Sequence, residues 1–179
     1  MVDDGTWGDY VTEAGVDPGA LDVVSDGMTD AATLVDTAVD SIDTTALPED
    51  VAAAVGDAGY NATEAASWSS AAEGDLTNAA SWQDAAADHV SSAQEWLADG
   101  NVDAYQEEMS AAATASDIAD GVVGQANTDL GIGAEYMDSS VGAVDTAEDL
   151  SADSASAIDT SSYDAGSYDT ASVDVSSDV

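Results

Sequence analysis

The sequence predicts an all-α protein: a bundle of five or six mostly antiparallel helices, an irregular N-terminal arm and a low-complexity C-terminal tail. Apolar residues recur at spacings of three and four between about 18 and 158, the period of one helix face. Alanines fall in columns seven residues apart, which suits helices that approach closely. The one alternating stretch, Val173 to Val175, is too short for a strand. On this basis residues 1–16 form the arm, 17–158 the helical domain and 159–179 an acidic tail rich in Ser, Asp and Tyr.

The arm (MVDDGTWGDYVTEAGV) mixes Gly with Trp7, Tyr10 and Val11 and shows no period. It has no cationic stretch followed by an apolar one, so no signal peptide is visible. Asp17-Pro18 then supplies an acidic N-cap and a proline at the first helical position. Leu21, Val24, Met28, Ala31, Val35, Ala38 and Ile42 continue it as an amphipathic helix over 18–43. Its other faces carry Asp22, Asp26 and Asp30, then Asp36 and Asp40, at i,i+4 with no cation between them. Each such pair costs a few tenths of a kcal/mol at low salt, roughly 0.2–0.5.

Leu47-Pro48-Glu49-Asp50 restarts a short helix through Val51 and Val55, expected to end near Gly56 or Gly59. Trp68, Trp82 and Trp96 follow at 14-residue intervals, beside a column of Ala65, Ala72, Ala79, Ala86 and Ala93. Gly74-Asp75 is expected to break this run into helices 60–73 and 78–98, with Thr77 or Asn78 as the new cap. Asp103 with Gln106 opens the next helix, which turns Tyr105, Met109, Ala112, Ile118 and Val122 inward and closes at Gly121 or Gly124. After a glycine-rich loop at Leu130-Gly131-Ile132-Gly133, the residues Met137, Val141, Val144, Ala147 and Leu150 mark a last helix that continues to Ile158. The tail holds Ser-Tyr-Asp twice and is expected to be flexible or to order on a partner through Tyr163, Tyr168, Val173 and Val175.

Composition excludes several functions. Of 179 residues, 38 are Asp or Glu and none is Lys or Arg, where an average domain of this length carries roughly 20 basic residues. Direct binding of nucleic-acid phosphates needs such cations, as do a basic membrane anchor and a phosphoryl-transfer site. No Cys is present, which removes disulfides, thiolate chemistry and Cys-ligated zinc. No apolar run approaches the length of a membrane span, so no membrane insertion is expected. The hydrophobic fraction is 45%, but close to half of it is Ala, so the core is thin.

A thin core under so many like charges is either disordered or folded where the charge is screened. At molar salt the Debye length is about 3 Å, short enough to silence neighbouring carboxylates on a helix. The 29 Asp and nine Glu, set among Ala, Val, Thr and Ser, resemble in composition the proteins of salt-in halophiles, chiefly haloarchaea and their viruses. The absence of Arg departs from that habit, which avoids Lys but keeps Arg.

No catalytic constellation emerges, and no enzyme is expected. His89 stands alone in the Trp column, without a nucleophile or oxyanion donors that can be placed beside it, and reads as structural or interfacial. Asp84, Asp88 and His89 are a weak metal signal. Carboxylates are too abundant for paired-acid geometry to mean anything. No calcium loop, phosphate loop or nucleophile elbow is present. No cofactor is expected beyond loose, non-specific binding of cations by carboxylates. Asn61-Ala62-Thr63 is a glycosylation sequon of the kind that arises by chance.

The aromatic residues are the sharpest feature. Trp7, Tyr10, Trp68, Trp82, Trp96, Tyr163 and Tyr168 are the candidate interface residues, because Trp and Tyr anchor protein contacts. The expected function is a structural component of a larger assembly in a hypersaline setting, such as a virion capsid, tail or accessory protein of a halophilic virus. Its partners are other protein subunits, and its place is the virion or the cytoplasm of a salt-in halophile. The alternative is an acidic DNA mimic, whose carboxylates about 6 Å apart along a helix imitate phosphate spacing and fill a basic groove.

Helical circular dichroism should rise steeply from low to molar NaCl or KCl, because pairs such as Asp22/Asp26 repel unless screened. Acidification toward pH ~4, where carboxylates ordinarily titrate, should partly substitute for salt. A melting temperature indifferent to salt would remove the halophile interpretation.

Overall fold

The structure is a computed structural model that describes residues 6–166, with side chains described up to Asp153 apart from Glu13. It is all-helical among these residues. In chain order come α1 (Trp7–Ala14), α2 (Pro18–Asp40), a 3-10 turn (Thr44–Ala46), α3 (Glu49–Ala98) and α4 (Val102–Gly166). The helical class is as expected, but the helices number four rather than five or six.

The difference lies in the glycines. Gly56, Gly59 and Gly74 were expected to end or interrupt helices, yet α3 runs through all three for 50 residues. Gly121, Gly124, Gly131 and Gly133 likewise lie inside α4, so neither the expected closure nor the loop at 130–133 exists. A helical glycine costs about 1 kcal/mol relative to Ala, and packing of a long apolar seam outweighs that. Two of these glycines are contact points. A β-carbon on Gly59 would sit 3.0 Å from Val39 Cγ1, and one on Gly133 would meet Met28 Sδ at 2.9 Å and the Ala65 carbonyl at 3.3 Å. The true breaks are Gly15 and Gly100, which have φ of 61° and 77°, in the left-handed region that glycine tolerates.

Caps set the other boundaries. Asp17 Oδ1 accepts from the N–H groups of Gly19 and Ala20 at 2.9 and 3.2 Å, with Pro18 at the first position as expected. α2 ends at Asp40, three residues short of the expected end. Asn101, rather than Asp103, caps α4 by accepting from Ala104 N–H at 3.2 Å. Within the helices, Thr and Ser hydroxyls return to carbonyls four residues back. Examples are Thr33 to Thr29, Thr63 to Gly59 and Thr128 to Gly124, at 2.8 to 3.0 Å. Those bonds satisfy the hydroxyls locally, so a Ser- and Thr-rich sequence can still form long helices.

The stretch expected to be an irregular arm contains α1. Thr6 and Asp9 form a capping box, with Thr6 Oγ1 accepting from Asp9 N–H and Asp9 accepting from Thr6 N–H at 3.1 Å. At the other end α4 continues to Gly166, past the expected start of the tail. Residues 167–179 lie outside the described residues.

α3 and α4 pack antiparallel along a seam of small residues. Ser140 Oγ donates to the Ala58 carbonyl at 2.8 Å, Gly133 lies against Ala65, and His89 meets Glu108, which fixes the register at three points. Ala65, Ala72, Ala79 and Ala93 of the expected column are fully or almost fully buried. α2 lies antiparallel on the first half of α3. Ser25 and Ser69 each donate a hydroxyl to the other's carbonyl, at 3.0 and 3.3 Å, inside the contact. Leu21, Met28, Leu130 and Met137 are the largest buried side chains of the main core. A smaller cluster of Val51, Ala54, Val55 and Ala147 closes the base of the hairpin.

Gly133→Ala should destabilise the protein by about 1–3 kcal/mol, since the added methyl overlaps Met28 and the Ala65 carbonyl. Gly121→Ala, where nothing lies within 4 Å, should stabilise it by up to ~1 kcal/mol. Denaturant unfolding of both variants in molar salt measures the two shifts, which must have opposite signs.

Candidate interaction surfaces

The molecule divides into a covered base and a bare tip. α1 and α2 pack over the hairpin up to about Leu76 on α3 and Val123 on α4. Beyond these residues α3 and α4 pack only on each other for roughly 30 Å, at 1.5 Å per residue. The core there is alanine: Ala93, Ala112, Ala115 and Ala119 are buried. Alanine draws two helices close but covers little, so larger side chains are left outside.

Those larger residues are the expected Trp column. Trp82 and Trp96 are 37% and 41% exposed, and Leu97 and Val102 flank the Gly100 turn in the open. Met109 and Ile118 were expected to face inward but are exposed. The reason is register: Ala112, Ala115 and Ala119 take the seam, which pushes Met109 and Ile118 to its margins. Val141 and Val144, which mark the last expected helix, are exposed as well. Trp68 is half-buried, at the covered end of the column.

His89 lies on the tip between the two exposed Trp residues in sequence. Its Nδ1 is 2.7 Å from Glu108 Oε2, bridging α3 to α4. This is the one ion pair among the described residues if the ring is protonated, and both side chains are partly open to solvent. Among the described residues no three His, Asp or Glu side chains converge as a metal site would require. Asp84 and Asp88 are exposed and stay apart from any such group. Asn61 is half-buried within α3.

Trp7 and Tyr10 occupy the base. Their rings meet edge to face with centroids 5.9 Å apart, and α1 inserts Val11 into the main core. Sequence reasoning missed the partner that holds α1 in place. Asp138 of α4 accepts from the Trp7 and Gly8 N–H groups at 2.9 and 3.5 Å, so an α4 carboxylate caps α1 from across the fold. Nothing local signals that role among so many Asp residues. The Tyr163 side chain and the whole of Tyr168 lie outside the described residues.

A second feature sits at the opposite end from the tip. α2, the start of α3 and α4 enclose an apolar groove of about 640 Å³, with Leu34 and Ile42 exposed on its edge. The 3-10 turn beside it is held by Asp43, whose carboxylate accepts from the Thr45 hydroxyl and N–H. Those two bonds, the hydroxyl first, hold the Asp43 carboxyl below the ordinary carboxylate range. No helix among the described residues is long and apolar enough to cross a membrane. No protein-family model, curated protein or solved structure matches the chain.

Asp138→Ala should release α1 while leaving α2, α3 and α4 helical, at a cost of about 1–2 kcal/mol for the lost cap. Trp7 should then become solvated. A red shift in emission, in a background where the other three Trp are replaced by Phe, with little change in circular dichroism, is the expected result.

Proposed function

We propose that the protein is a non-enzymatic structural component of a larger assembly in a hypersaline setting, such as a capsid, tail or accessory protein of a halophilic virion. The observation that carries this is the bare tip of the α3–α4 hairpin. Large apolar and aromatic side chains are 37% to 52% exposed there, around an alanine seam too small to cover them fully. Such a patch gains most from a neighbouring subunit, and exposed Trp is a favoured anchor for one. The salt-rich setting is supported by the α2 carboxylates. Asp22, Asp26, Asp30, Asp36 and Asp40 are all exposed, and the chain contains no Lys or Arg to separate them.

That same row favours a second function, an acidic DNA mimic. Exposed Asp at i,i+4 places charges about 6 Å apart along one helix. The two differ in what they require: assembly uses the apolar tip and persists in molar salt, whereas mimicry uses the carboxylates and fades as salt screens them.

Trp82→Ser combined with Trp96→Ser should leave helicity intact, because both positions are open, and should abolish self-association or incorporation into purified particles at molar salt. Truncation of 160–179 tests the tail in the same assay, with lost incorporation and retained helicity expected if the tail joins neighbouring chains. Incorporation unaffected by the Trp pair, together with stoichiometric inhibition of basic nucleic-acid enzymes at low salt, would transfer the assignment to mimicry.

A further inference from the structure

The cleft between α2 and α4 is occupied in its upper part by α1. That helix packs on both walls, and among the described residues none of its α-carbons comes within 8 Å of one in α3. The Trp7 ring lies over Gly27 of α2, 3.7 Å from where a β-carbon would sit, and Asp138 of α4 caps the helix start. α1 runs antiparallel to α2, so its N-terminal end points along the cleft toward the C-terminal end of α2. Leu34 lies seven residues beyond Gly27 and Val144 six beyond Asp138, each about 10 Å further along. There the cleft opens into the groove, walled by Leu34, Ile42, Val144 and Ala147 and floored by Val51 and Val55.

α2, α3 and α4 thus present three sides of a four-helix bundle. α1 takes the fourth position over its eight residues, and the groove continues that position for about two further helical turns. Leu34 at 72% exposure and Ile42 at 40% are otherwise unaccounted for in a chain so short of large apolar residues. The charge of the surroundings narrows what fits. Glu148 lines the groove, and Asp36, Asp40, Asp43 and Asp145 are exposed on the same elements. A second copy of this chain has no Lys or Arg with which to meet those carboxylates.

We infer that the groove receives an amphipathic helix from a different protein, with an apolar stripe at helical spacing and Lys or Arg along its flanks. The stripe fills the groove as α1 fills the cleft above it, and the flanking cations meet the acidic rim. This surface is at the opposite end of the molecule from the hairpin tip, so its occupant is independent of what the tip docks on.

The test uses the full chain and two labelled peptides of about 14 residues, both with Leu at i, i+3, i+4 and i+7, one with Lys flanks and one with Glu. Fluorescence anisotropy is read between the lowest NaCl concentration at which circular dichroism shows the chain folded and about 1 M. The Lys peptide should bind, and its preference over the Glu peptide should shrink as salt rises. Leu34→Asn with Ile42→Asn, at exposed positions that leave circular dichroism unchanged, should weaken binding about tenfold or more. Trp82→Ser should not affect it. Equal binding to the Asn double variant would mean general attraction to a polyanion and overturn the inference, as would absence of binding or equal affinity for the Glu peptide at the lower salt. Binding that appears only after deletion of residues 1–5 would reassign the groove to the chain's own N-terminus. Concentration-dependent dimerisation lost in the Asn double variant would reassign it to a second copy.

Discussion

How closely α3 approaches α4 decides the rest of the molecule. Ala, Ser and Gly along the seam let the two backbones come near enough for Ser140 to reach the Ala58 carbonyl and for Ala65 to lie against Gly133. Close approach substitutes many short dispersion contacts for the larger transfer energy of Leu or Phe. It also creates the recess over Gly133 into which Met28 of α2 fits. α2 therefore depends on the hairpin, and α1 depends on α2 and α4 together. The same choice of small residues explains the exposed tip, because an alanine seam has no room for Trp82, Trp96 or Met109 inside it.

Much of this was legible in the sequence, and the failures have definite causes. The Asp17-Pro18 start of α2 and the alanine column were readable because each is a local rule: a cap, a fixed φ, a seven-residue period. The continuity of α3 and α4 was not, because a glycine that breaks a helix and one that admits a neighbour look alike in sequence. Gly59 and Gly133 belong to the second kind, and only Val39 and Met28 reveal it. α1 was overlooked because its cap pairs Thr6 with Asp9 rather than the more familiar Glu or Gln, and because its anchor, Asp138, is more than a hundred residues away. Of the candidate surface, the aromatic column was visible from spacing alone. Its exposure was not, since a heptad pattern shows that residues share a face without saying what covers that face.

The electrostatics follow from the same architecture. Exposed carboxylates lie on all four helices, and among the described residues only His89 offers a cationic partner to one of them. Among the buried polar groups, Ser25 and Ser69 exchange neutral hydrogen bonds and Asp129 accepts from the uncharged Gln125 amide at 2.7 Å, whereas Thr29 Oγ1 and Asn127 Oδ1 have no hydrogen-bond partner in the fold. Cohesion thus comes from packing and neutral hydrogen bonds, which salt strengthens or leaves alone, while repulsion comes from charge, which salt removes. This division is what the proposed salt-rich setting would favour.

The antiparallel register also orders events in time. At the tip, His89 and Glu108 are separated by 19 residues of chain, whereas Ser140 and Ala58 at the base are separated by 82. Closing a short loop costs less entropy than closing a long one, so the Gly100 turn is the natural place for the hairpin to nucleate. Yet the tip buries least, and the contacts that secure it, around Leu21, Met28 and Leu130, form last because they need the base and α2. Early hairpins should therefore open many times before one zips far enough to capture α2. The segment expected to form quickest also buries least, so the exposed aromatic end of the molecule is where the finished fold should open first.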